Sequence, residues 1–135
     1  MQLFKKVAAA GAAMIAMTAL STVGASPANA ATYGGQCGAG YHQVNWEPIP
    51  HKGAVYLTYN KSTGKNCVVT VRHKRGKPVP MDAELKVYGT SKSIVDSGKF
   101  KNYAGPVYVN ARGKCVTWGG RIDGGKAFVH KSNCR

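Results

Sequence analysis

A chain of 135 residues that sets 19 Lys and Arg against five Asp and Glu carries a formal charge of +14. Its length supports a single small domain, and so few carboxylates leave only Glu47 and Asp82 as weak candidates for the acid–base pair that glycoside cleavage needs. A balance this basic repels the protein from itself and draws it toward polyanions.

In chain order, the first thirty residues decide the compartment. Met1–Lys6 holds Lys5 and Lys6 and no acid, Val7–Leu20 is apolar or small throughout, and Ser26-Pro27-Ala28-Asn29-Ala30 ends in the small residues a signal peptidase reads. That succession of basic, apolar and A-x-A regions is the layout of a secretory signal, with cleavage expected between Ala30 and Ala31. The apolar run is short of the roughly 20 residues that span a bilayer. No Cys stands at the cut to take a lipid, and no second run of this kind follows. Residues 1–30 are read as a cleaved signal and 31–135 as one secreted domain with no transmembrane segment after cleavage. Without Lys5 and Lys6 the domain keeps 17 basic residues against five acids, a formal charge of +12.

Beyond residue 30 helical periodicity is hard to find, and short β-branched and aromatic runs alternate with Gly, Asn and Lys. Ala54–Tyr59 is a strand, Asn60–Asn66 a polar turn, and Cys67–Arg72 the returning strand. A basic loop follows, then a strand over Ala83–Tyr88. Pro106–Val109 and Cys115–Trp118 form a second hairpin around Asn110-Ala111-Arg112-Gly113, and Lys126–His130 is a last short strand. The two hairpins share a plan: strand, polar Gly turn, Cys-bearing strand. Asn and Gly suit such turns because they tolerate left-handed backbone. The expected fold is all-β, a small antiparallel sandwich or barrel built from hairpins.

All four Cys lie in the exported domain, and an even count there reads as two disulfides, for which three pairings exist. Cys37–Cys67 and Cys115–Cys134 are favoured, because each would tie a terminal segment to the adjacent hairpin. Each loop closure is worth about 3–4 kcal/mol on the chain-entropy estimate. A Cys₄ zinc site fits worse, since no C-x-x-C spacing occurs. No metal and no cofactor are expected.

The densest basic segment, Arg72-His73-Lys74-Arg75-Gly76-Lys77, follows a strand and precedes Pro78. It is an exposed loop, and Arg72, Lys74, Arg75 and Lys77 are the candidate anion-binding residues. Lys52, Lys61 and Lys65 from the first hairpin would widen the face. Charge runs are commonly just solvated; here the partners expected are cell-wall or spore-surface polyanions. Aromatic residues are scarce within the run, so stacking of single-stranded nucleic acid, or any specific nucleic-acid partner, is not indicated. Trp118-Gly119-Gly120 offers two readings: Trp118 with Tyr103 and Tyr108 would stack sugar rings, but a core Trp beside a bulge is favoured, because large aromatics usually sit in the core. The four His residues show no metal-ligand spacing, and nothing in the sequence places two of them together for a nuclease.

Cys37-Gly38-Ala39-Gly40-Tyr41, Val55–Asn60, Thr63–Arg72, Tyr103–Val109 and Cys115–Gly120 together resemble the spore-associated protein A family of streptomycetes and related actinobacteria. The resemblance covers most of the exported domain and implies an exported protein found with the spore surface, with no catalytic residues to carry over. The function expected is a secreted, basic, non-enzymatic protein of the spore or cell envelope. A cationic antimicrobial or toxin-like protein and a small hydrolase or nuclease are the alternatives.

Overall fold

A computed structural model describes residues 32–134. The expected signal, residues 1–30, and its expected cleavage point lie outside the described residues. Eight strands run through the described part: β1 (His42–Ile49), β2 (Gly53–Asn60), β3 (Lys65–Arg72), β4 (Val79–Val87), β5 (Ile94–Phe100), β6 (Tyr103–Asn110), β7 (Val116–Ile122) and β8 (Gly125–Ser132). They form two four-stranded antiparallel sheets, ordered β1-β2-β3-β6 and β5-β4-β7-β8. Of the two all-β architectures expected, the chain adopts the sandwich. Both favoured disulfides are present, Cys37–Cys67 and Cys115–Cys134.

The alternation of strand residues sets the core. Val55 and Leu57 of β2, Val68 of β3, and Ala104 and Val107 of β6 face Met81, Ala83 and Leu85 of β4 and Val116, Trp118 and Ile122 of β7, all buried. The Trp-Gly-Gly run serves this packing. Trp118 is fully buried, with its indole N–H donating to Ser132 Oγ at 2.9 Å. Gly120 lies against Thr70 of the opposite sheet, and a Cβ there would run into the Thr70 hydroxyl.

Two features depart from the sequence reading. Pro106–Val109 and Cys115–Trp118 do not form a hairpin: β6 pairs with β3 and β7 with β4 and β8, so the connection between them crosses from one sheet to the other. The likeness to the β2–β3 hairpin is one of turn chemistry, since Asn and Gly suit an arch as well as a hairpin turn. β1 and β5 were not anticipated. Both are edge strands, largely exposed, and β5 points Asp96 inward, where its carboxylate accepts from the Gly105 N–H at 2.8 Å. An inward charge and an interior Pro48 blunt exposed edges and also erase the hydrophobic alternation by which a strand is read.

Candidate functional site

Because successive strands alternate in direction, the connections gather at two ends of the sandwich. At one end sit the β1–β2 turn (Pro50–Lys52), the β3–β4 loop (His73–Pro78), the β5–β6 turn (Lys101, Asn102) and the β7–β8 turn (Asp123, Gly124). At the other sit the β2–β3 turn (Lys61–Gly64), the β4–β5 connection and the β6–β7 arch.

At the first end the basic loop is anchored rather than loose. The Arg72 guanidinium donates to Lys77 O at 2.8 Å and Lys101 O at 3.0 Å. Backbone bonds add to this: Arg72 N–H to Asn102 O at 2.9 Å, His73 N–H to Lys52 O at 2.9 Å and Gly76 N–H to Lys101 O at 3.2 Å. Arg72, expected as an anion ligand, lines the cleft and turns its Nη1 onto carbonyls that hold the loop. Lys74, Arg75 and Lys77 remain exposed.

These turns enclose a cleft of about 260 Å³. His51 and Lys52 line it from the β1–β2 turn, His73, Lys74 and Arg75 from the β3–β4 loop, and Asp123 from the β7–β8 turn. Sequence reasoning set Lys52 beside the basic loop that carries His73, but it brought neither His51 nor Asp123 to that loop, since the three turns are far apart along the chain. One local sign was present in Pro50-His51-Lys52-Gly53. Pro then a left-handed residue is a type II turn pattern, ordinarily completed by Gly or Asn, and here His51 takes φ 65° as Lys52 N–H closes onto Ile49 O at 3.0 Å.

Lys61 and Lys65 do not join this face. They lie at the other end of the sandwich, separated from the basic loop by the length of β3, about 23 Å at the usual rise per residue. There the Arg112 guanidinium donates to Lys61 O at 3.1 Å and Ser62 O at 3.3 Å. Lys65 lines a groove of about 440 Å³ with Lys92, Ile94 and Tyr108.

The three aromatic candidates also separate. Burial removes Trp118 from any ligand's reach. Tyr103 and Tyr108 are partly exposed on the outer face of the β1-β2-β3-β6 sheet. Tyr108 is engaged there: its hydroxyl donates to Cys37 O at 2.9 Å, and its ring meets Tyr41 edge-on at 5.4 Å. Trp46, half exposed on the same face and stacked on Tyr56 at 6.4 Å, is the exposed indole of the described domain. It lies on the unanticipated β1.

The chain is 46% identical over 128 residues to spore-associated protein A of Streptomyces coelicolor, covering 95% of this chain and 82% of that one. The chain belongs to the spore-associated protein A family. The stretches that carry the resemblance, from Cys37 to the Trp-Gly-Gly run, fall in the disulfide-strapped N-terminal segment and in or beside β2, β3, β6 and β7. No profile of a known protein family matches the chain, and no solved structure matches it.

Proposed function

We propose that this protein is exported, associates with the spore or cell envelope, and does so without catalysis, by binding anionic envelope polymers through the end of the sandwich that carries Lys52, Lys74, Arg75 and Lys77. The observation that supports this reading most is the convergence of Lys52, Lys74 and Arg75 from separate turns around one cleft, with Asp123 as the acid lining it and Lys77 exposed on the same loop. A concave cationic surface focuses its field on an approaching polyanion more than scattered charges do. The name of the Streptomyces relative supports the spore as the place of association.

Binding of the exported protein to purified spores and cell walls across a salt series tests this. Arg72 is left intact so that the loop keeps its anchor. Each basic residue near an anionic surface is worth about 1 kcal/mol, so changing Lys74, Arg75 and Lys77 to Ser is expected to weaken binding on the order of 100-fold. Changing Lys61 and Lys65, at the far end, has a much smaller effect. Wild-type binding falls as salt rises. Binding that ignores both salt and the triple change sinks the reading.

The meeting of His51 and His73 in one cleft favours a second reading, phosphodiester hydrolysis with one imidazole as base and the other as acid. Shortening of RNA or of a wall phosphate polymer by the wild type, lost when either His becomes Ala, would select it over pure binding.

A further inference from the structure

We infer that the cleft at the basic end is a binding site for the phosphate groups of a polymer, in which His51 and His73 donate beside Lys52, Lys74 and Arg75, so that its grip tightens as the solution becomes acidic. This rests on the polyanion-binding reading and adds to it the chemistry of the ligand and the groups that read it.

Two of the four His residues line this one cleft, while His42 and His130 lie on β1 and β8. His51 occupies its place against local preference. At φ 65° it holds a left-handed conformation that costs a non-glycine residue on the order of 1 kcal/mol or more, in a turn where Gly or Asn would sit without that cost. A rule of turn chemistry broken by a side chain that lines a cleft points to a demand on the side chain.

The walls are held in advance. The Arg72 guanidinium and the Gly76 N–H tie the β3–β4 loop to Lys101, and the His73 N–H ties it to Lys52 in the β1–β2 turn. The backbone that carries the donors therefore needs little ordering when a ligand arrives.

The mixture of donors suits a phosphodiester. Ammonium, guanidinium and imidazole groups approach from two different turns, and a tetrahedral phosphate presents its oxygens in several directions. A carboxylate presents two oxygens in one plane and is served by a single guanidinium fork. Imidazole is the side chain whose ordinary charge change falls between about pH 5 and 8. Lysine, arginine and aspartate side chains ordinarily keep their charges over that range. The two imidazoles share the cleft with Lys52, Lys74, Arg75 and Arg72 and, from the β7–β8 turn, with Asp123.

The test titrates the full exported protein with long-chain inorganic polyphosphate at fixed ionic strength, at about pH 8 and about pH 5.5. Affinity is expected to rise about tenfold or more toward the acidic side. The double variant His51→Asn with His73→Gln is expected to lose that rise while still binding at the alkaline end, and Asn keeps the left-handed turn comfortable. A control with His42→Gln and His130→Gln retains the rise, and thermal unfolding of each variant confirms its fold. Polyglutamate of similar length binds more weakly than polyphosphate at the alkaline end. A pH response that survives in the His51/His73 variant, a response absent from the wild type, or equal affinity for polyglutamate overturns the inference while salt-released binding leaves the broader reading intact. Absence of polyphosphate binding at either pH overturns both.

Discussion

Gly120 and Thr70 show how little room the two sheets leave each other. Thr70 is fully buried in β3, its hydroxyl has no hydrogen-bond partner among the described residues, and it occupies the space a side chain at position 120 would need. A Cβ at Gly120 would also come within 2.5 Å of Asp82 O on the neighbouring strand. Overpacking of this kind costs about 1–3 kcal/mol. Gly120→Ala is expected to lower the urea midpoint accordingly, and Thr70→Ala in the same chain recovers part of the loss, since the two positions are in contact. Tyrosine hydroxyls carry a second residue-level consequence. Burial pushes the Tyr56 phenol above its ordinary 10.0. Burial does the same to Tyr108, with the neighbouring Tyr41 and Tyr33 adding to the rise. A raised folded value means the neutral phenol is favoured by the fold, so its contribution is intact below pH 10 and is lost as pH climbs through the folded value. The unfolding midpoint is expected to fall above pH 10, and ultraviolet titration of the native protein shows tyrosines that ionise late. A midpoint that stays flat or rises across this range contradicts the assignment.

At the scale of elements, the N-terminal segment Tyr33–Tyr41 behaves as a strap across the outer face of the β1-β2-β3-β6 sheet. Cys37–Cys67 pins it at the middle, Tyr33 packs on Tyr56 at 6.0 Å, and Tyr108 holds Cys37 O. Closing a loop of 30 residues is worth about 3–4 kcal/mol in the chain-entropy view. The double change Cys37→Ala with Cys67→Ala is expected to remove about that much stability, and to speed amide exchange at Tyr56 and Val69 beneath the strap. Unchanged exchange at those amides would mean that the strap is held without its disulfide. The edge strands explain why half of the sheet borders escaped the sequence reading. β1 has an interior Pro48 and a register shift near Val44, and β5 alternates Ile94, Asp96, Gly98 and Phe100 inward. Neither presents the continuous apolar alternation of β2 and β3.

For the whole molecule, the distribution of charge matters more than its sum. Both ends of the sandwich are cationic, with Lys52, Lys74, Arg75, Lys77 and Lys101 at one and Lys61, Lys65, Lys92, Arg112 and Lys114 at the other. The ends differ in form. At the first, three turns surround a cleft and Arg72 serves as the internal tie; at the second, Arg112 is drawn onto the β2–β3 turn. An anionic polymer held in the cleft would orient the sandwich, leaving the second set of cations directed away from the first contact. Salt weakens both sets, which is why the comparison of the two ends by substitution, rather than salt alone, locates the binding surface.

Short-range chemistry was legible without coordinates. β-branched runs separated by turns that hold Asn and Gly mark an all-β chain, β2 and β3 read directly as a hairpin, and four cysteines placed beside the strands favoured the pairing that the fold adopts. The basic loop, too, stands where Gly76 and Pro78 interrupt the strands. What depended on tertiary structure is a set of relations between residues distant in sequence: the crossing of β6 to β7 in place of a hairpin, the distance between Lys61 and Arg75, and the meeting of His51 with His73. Turn propensities act within a few residues and are alike for an arch and a hairpin. Strand neighbours are chosen by burying two apolar faces against each other, a property of the assembled sheets that no local window contains.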